Sequence, residues 1–135
     1  MTKKKNNSPN AIPSPPLVEA MQQFIADETA LFIKAKNYHW NVLGVHFKPL
    51  HELFDTIAEA CEEQIDEVAE RIRALNAFVP ASLAYFAQKT TIEEESKTGS
   101  LKAEKMLESL LKDYINISDS LKKAISIADD EDDDV

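Results

Sequence analysis

Apolar residues recur at three- and four-residue spacing along three long stretches, and this periodicity constrains the chain more than any other feature. The first stripe is Leu17, Met21, Phe24, Leu31, Ala35, Tyr38 and Val42, with Glu28 at one position of the seam. The second is Leu50, Phe54, Ile57, Cys61, Val68, Ile72 and Leu75. The third is Ala103, Leu107, Leu110, Tyr114, Ile117, Leu121, Ala124 and Ala128. Residues spaced this way share one face of an α-helix, and each such face needs a partner. With only 2 glycines in 135 residues, the composition also favours helices over a sheet. The expected fold class is therefore all-α, a helical bundle. The long connection over 76–99 allows the second and third helices to run parallel, as in crossover bundles, instead of antiparallel.

Punctuation residues place the breaks. Gly44 is a plausible stop for the first helix, and Pro49 fits the first turn of the second. Pro80 could open a short helix over Ala81–Gln88. Thr90-x-x-Glu93 and Thr91-x-x-Glu94 resemble capping boxes, and Ser100 is the expected N-cap of the third long helix. The chain divides into a basic, Pro-rich arm over 1–16, a helical domain over 17–128 and an acidic segment over 129–135.

The net charge is −9, with Lys3, Lys4 and Lys5 at one end and Asp129, Asp130, Glu131, Asp132, Asp133 and Asp134 at the other. Without these clusters the body is still acidic, so it attracts cations and repels nucleic acid phosphates. Contact with DNA would have to come from the three lysines. No apolar run approaches the ~20 residues of a membrane span. The start, MTKKKNNSPN, lacks the apolar stretch of a secretory signal, and Cys61 is the lone cysteine. A cytoplasmic location fits these features.

The histidines are His39, His46 and His51. On the second helix, His51, Asp55, Asp66 and Glu70 fall within one quadrant, at about 0°, 40°, 60° and 100° around the axis. From spacing alone a solvated acidic face is the simpler reading, since Glu52, Glu59, Glu62, Glu63 and Glu67 share this helix. His39 alone reads as a satisfied core histidine. His51-x-x-x-Asp55 can chelate a cation, but Asp66 lies about 22 Å further along a straight helix. One ion cannot bind both ends within one chain. Two copies packed antiparallel about a two-fold axis would bring His51 and Asp55 of one against Asp66 and Glu70 of the other.

The segment His39-Trp40-Asn41-Val42-Leu43-Gly44, with Leu50-His51-Glu52-Leu53-Phe54-Asp55 after it, resembles the first signature of the Dps family of miniferritins. Ile65-Asp66-Glu67-Val68-Ala69-Glu70-Arg71-Ile72 resembles the second. The resemblance covers roughly residues 17–128. It implies a ferritin-like bundle that oxidises Fe²⁺, often with hydrogen peroxide, and stores the ferric product in a twelve-subunit shell. It implies that His39, His51 and Asp55 of one subunit and Asp66 and Glu70 of its mate bind the metal. Trp40 matches a tryptophan proposed to intercept radicals; the alternative is an ordinary buried aromatic. His46 matches no ligand. The resemblance further implies a fourth long helix. This chain stops where that helix should begin, so three long helices are expected. Phe24, Leu31, Leu107, Leu110, Ile117 and Leu121 are candidates for an uncovered seam. The Glu-x-x-His pattern of larger ferritins is absent. Two alternatives remain: a DNA-binding nucleoid protein with a secondary iron site, or a helical oligomer that binds zinc without turnover.

Overall fold

The computed structural model describes residues 15–130. The arm carrying Lys3, Lys4 and Lys5, and the acids from Glu131 to Asp134, lie outside them. The described residues form four helices: α1 (Pro15–Asn41), α2 (Phe47–Ala74), α3 (Leu83–Lys89) and α4 (Ala103–Asp130). Three are long, as their stripes require. The short α3 makes the element count four and falls where Pro80 suggested a helix. Asp129 and Asp130 form the last residues of α4.

Helix α1 is central and packs against the other three. Its stripe residues are all buried, Glu28 included. Near its start, Leu17 and Met21 meet Ile72 of α2 and Ala128 of α4. Near its end, Tyr38 packs on Phe54 with ring centroids 5.7 Å apart, in a cluster that also holds Met106. Both neighbours therefore run antiparallel to α1, and α2 runs parallel to α4, the crossover arrangement. Fully burying a Leu, Ile, Phe or Met side chain contributes about 1.5–3 kcal/mol, so this double-sided packing of α1 dominates the core.

The connection from α3 to α4 is anchored by a buried carboxylate. Asp27 Oδ1 accepts hydrogen bonds from Thr90 Oγ1 at 2.9 Å, Thr91 N at 2.7 Å and Thr91 Oγ1 at 3.2 Å. The two threonines therefore do not N-cap a helix: Thr90 ends α3, its N–H donating to the Phe86 carbonyl at 2.9 Å, and the next helix begins only at Ala103. Ser100 does not cap α4 either. It adopts φ 61°, and the first turn of α4 is closed onto the carbonyl of Lys102, which accepts from Met106 N at 3.1 Å. The side-chain cap that does form is Ser82 on α3, accepting from Tyr85 N at 3.1 Å.

The uncovered seam also differs from expectation. Phe24, Leu31, Leu110 and Ile117 are buried, because α1 is covered on both sides. On α4 the buried row is Met106, Leu110, Asp113, Ile117, Ala124 and Ala128. Leu107 and Tyr114 are displaced outward, at 38% and 40% exposure, alongside Leu111, Ile115 and Ile125. Asp113 takes a core position by pairing with buried Lys34 at 2.7 Å, an interhelical match that local periodicity does not register. The outward row is an apolar strip of the kind that drives association. The 135-residue chain expressed by itself is expected to sediment as a broad distribution of oligomers. Leu111→Lys with Ile125→Lys should narrow it. A monodisperse twelve-subunit shell from the unaltered chain would contradict this.

Candidate metal centre

The end of α1 and the start of α2 bring His39, His51 and Asp55 together. The turn between the helices passes through Gly44, whose φ of 112° favours glycine, and brings the two imidazoles into a stack with centroids 3.8 Å apart. Their backbone contacts are reciprocal. His39 Nδ1–H donates to the carbonyl of His51, and His51 Nδ1–H donates to the carbonyl of His39, each at 2.6 Å. A carbonyl can only accept, so in both rings Nδ1 carries the proton of this bond, which directs Nε2 away from the backbone and, in a neutral ring, leaves the lone pair there. Histidines that ligate metals are commonly oriented in this way, through a backbone carbonyl on the other ring nitrogen. Phe47 stacks on the outer face of His51 at 5.0 Å.

Asp55, one turn along α2 from His51, places Oδ1 3.9 Å from His39 Nε2. The same oxygen accepts from Lys36 Nζ at 2.7 Å. This bond, with the positive surroundings, holds the Asp55 carboxyl below its ordinary range. A carboxylate 3.9 Å from one imidazole nitrogen, with a second imidazole stacked on the first, offers part of a donor set for a divalent transition metal. His39 is half-buried with Nδ1 satisfied by the His51 carbonyl, as a satisfied core histidine would be, and it also stands beside His51 and Asp55.

Asp66 and Glu70 lie further along α2 and are exposed. The structure does not bring them to the histidines. Among the described residues, no three His, Cys, Asp or Glu side chains gather closely enough to hold an ion by themselves. Asp66 instead lines an open acidic depression with Glu59, Glu62 and Glu63. Trp40, 68% exposed, is not a buried aromatic. His46 is exposed at the start of α2 and makes no side-chain capping bond.

Two features escaped the sequence reading. Lys36 is legible only once Asp55 stands opposite it, since the spacing to His39 says nothing of α2. The second is the surrounding of Glu28. Its carboxyl is buried between α1 and α2 against the Cys61 thiol, and burial pushes its pKa up to about 7. Burial and the neighbouring Glu28 also push the Cys61 thiol well above its ordinary range, so it is a packing residue with little thiolate.

Comparison with known proteins identifies the family. The family model for the ferritin-like domain matches residues 18–135. The "DNA protection during starvation protein 2" of Bacillus anthracis is 34% identical over 119 residues, spanning 88% of this chain and 80% of the relative. "General stress protein 20U" of Bacillus subtilis is 32% identical over 114 residues, covering 84% and 77%. The crystal structure of Dps from Staphylococcus aureus superposes with a TM-score of 0.85 at 32% identity, covering 91% of this chain and 81% of that one. The chain belongs to the Dps family of ferritin-like proteins.

Proposed function

We propose that this chain oxidises Fe²⁺ with hydrogen peroxide at sites shared between two copies, and so withdraws the reactants that damage DNA. The family is one of iron storage and DNA protection in general. The finer reading rests on one observation: the stacked His39–His51 pair, with both Nδ1 atoms bound to backbone carbonyls and Asp55 Oδ1 beside His39 Nε2. This half-site offers nitrogen and oxygen donors from one subunit. Asp66 and Glu70 of a partner, on the same quadrant of α2, supply the carboxylates that favour the harder Fe³⁺ over Fe²⁺. Trp40, exposed next to His39, is placed to give up an electron to a stray oxidant. The ferric product is stored inside the oligomer.

Two Fe²⁺ ions close together can each give one electron to a single peroxide. With two protons taken up, the products are two Fe³⁺ and two waters. One Fe²⁺ acting alone would cleave peroxide to hydroxide and a hydroxyl radical. The expected result is therefore an oxidation stoichiometry near two Fe²⁺ per peroxide, with little spin-trapped radical, measured by anaerobic titration. One Fe²⁺ per peroxide with abundant radical adduct would refute paired oxidation. Zinc bound tightly without any acceleration of iron oxidation would favour the non-catalytic oligomer. In the alternative reading as a DNA-binding protein, contact would fall to Lys3, Lys4 and Lys5; a gel shift that weakens with salt and disappears when these lysines are removed is its signature.

A further inference from the structure

Lys36 stands one helical turn before His39 on α1 and reaches across to α2. Its Nζ lies 2.7 Å from Asp55 Oδ1, the same oxygen that is 3.9 Å from His39 Nε2. The oxygen that would face a metal on His39 is thus already held by an ammonium. An ammonium has three donors and no lone pair, so it cannot join a ligand set. It also repels any second cation brought to that oxygen, and more strongly in a partly desolvated site than in water.

We infer that Lys36 is a displaceable internal cation of the iron site: it aims Asp55 at His39 and must leave Oδ1 before a metal can bind there fully. The inference rests on the proposed His–Asp site. Its novelty is that metal affinity is set by exchange of one cation for another, in addition to the ligands themselves. The side-chain exposures permit such exchange. Lys36 and Asp55 are 27% and 33% exposed, so the flexible lysine stem has a route to solvent. Lys34, two residues earlier, contrasts with it. That side chain is 3% exposed, locked against Asp113 and hydrogen-bonded to Ser109, and has no such route.

The test uses Zn²⁺ as a redox-inert probe, titrated calorimetrically into the full-length protein. Lys36→Met keeps most of the stem and removes the charge, whereas Lys36→Arg keeps the charge. The Met variant is expected to bind Zn²⁺ at least about tenfold more tightly than wild type, and the Arg variant within about threefold of it. His51→Ala serves as the reference for the site itself and should abolish this binding. If Lys36→Met binds equally or more weakly while His51→Ala still abolishes binding, Lys36 is an ordinary surface ion pair; the inference fails and the site stands. If His51→Ala binds Zn²⁺ as wild type does, the His–Asp site is wrong and the inference falls with it.

Discussion

Glu28→Gln is expected to stabilise the protein at pH 8 and to leave it nearly unchanged near pH 4.5. Glu28 occupies a seam position of α1 and is 2% exposed. Its carboxyl is raised from 4.5 to about 7, chiefly by burial, with the Cys61 hydrogen bond opposing and Asp27 adding to the rise. Between those pH values the folded chain keeps a proton that the unfolded chain releases. Stability therefore falls as pH rises through this window and levels off above it. The cost of ionising the buried acid is on the order of 3 kcal/mol, at 1.36 kcal/mol per pKa unit. Gln64 can serve either state of the acid. With its amide nitrogen toward Glu28 it donates to the two carboxyl oxygens at 3.0 and 3.1 Å; with its amide oxygen there it accepts from the protonated form. Glutamine at position 28 keeps the shape and cannot ionise. Urea unfolding of both proteins from pH 4.5 to 8 measures the difference. Parallel stability profiles would show that Glu28 is not held protonated by the fold.

The same seam shows what the sequence does and does not carry. Helix α1 was legible along its whole length, because it is packed on both sides and its stripe has a single register. Helix α4 was legible as a helix and at Leu110, Ile117, Ala124 and Ala128 of its stripe, but not at positions 107 and 114. Leu107 and Tyr114 compete with Met106 and Asp113 for the core, and hydropathy favours the wrong row. What decides is Lys34 on α1, which draws Asp113 inward, and that fact belongs to two helices. The Thr90 and Thr91 motifs failed for a related reason: cap chemistry is local, whereas their partner Asp27 is distant in sequence. Ser100 failed because it adopts a positive φ.

The candidate site divides along the same line. His51 and Asp55 share a helix, so spacing alone could pair them. His39 came from the motif resemblance, and the reciprocal backbone bonds now give it a physical place beside His51. Lys36 was passed over because its importance lies in where α2 stands. Asp66 and Glu70 remain at a distance that no single-chain packing of a straight helix can close. The claim that a second copy supplies them is the central one.

That claim is tested most directly by subunit complementation. His51→Ala and Glu70→Ala chains should each lose ferroxidation by more than about tenfold, since even outer-shell changes at metal sites cost 10–100-fold. In a dimer containing one of each, two-fold symmetry makes one site doubly damaged and the other intact. A defined heterodimer should therefore recover about half of the wild-type rate. If subunit exchange is confirmed and the mixture never exceeds either parent, the site is not shared between copies.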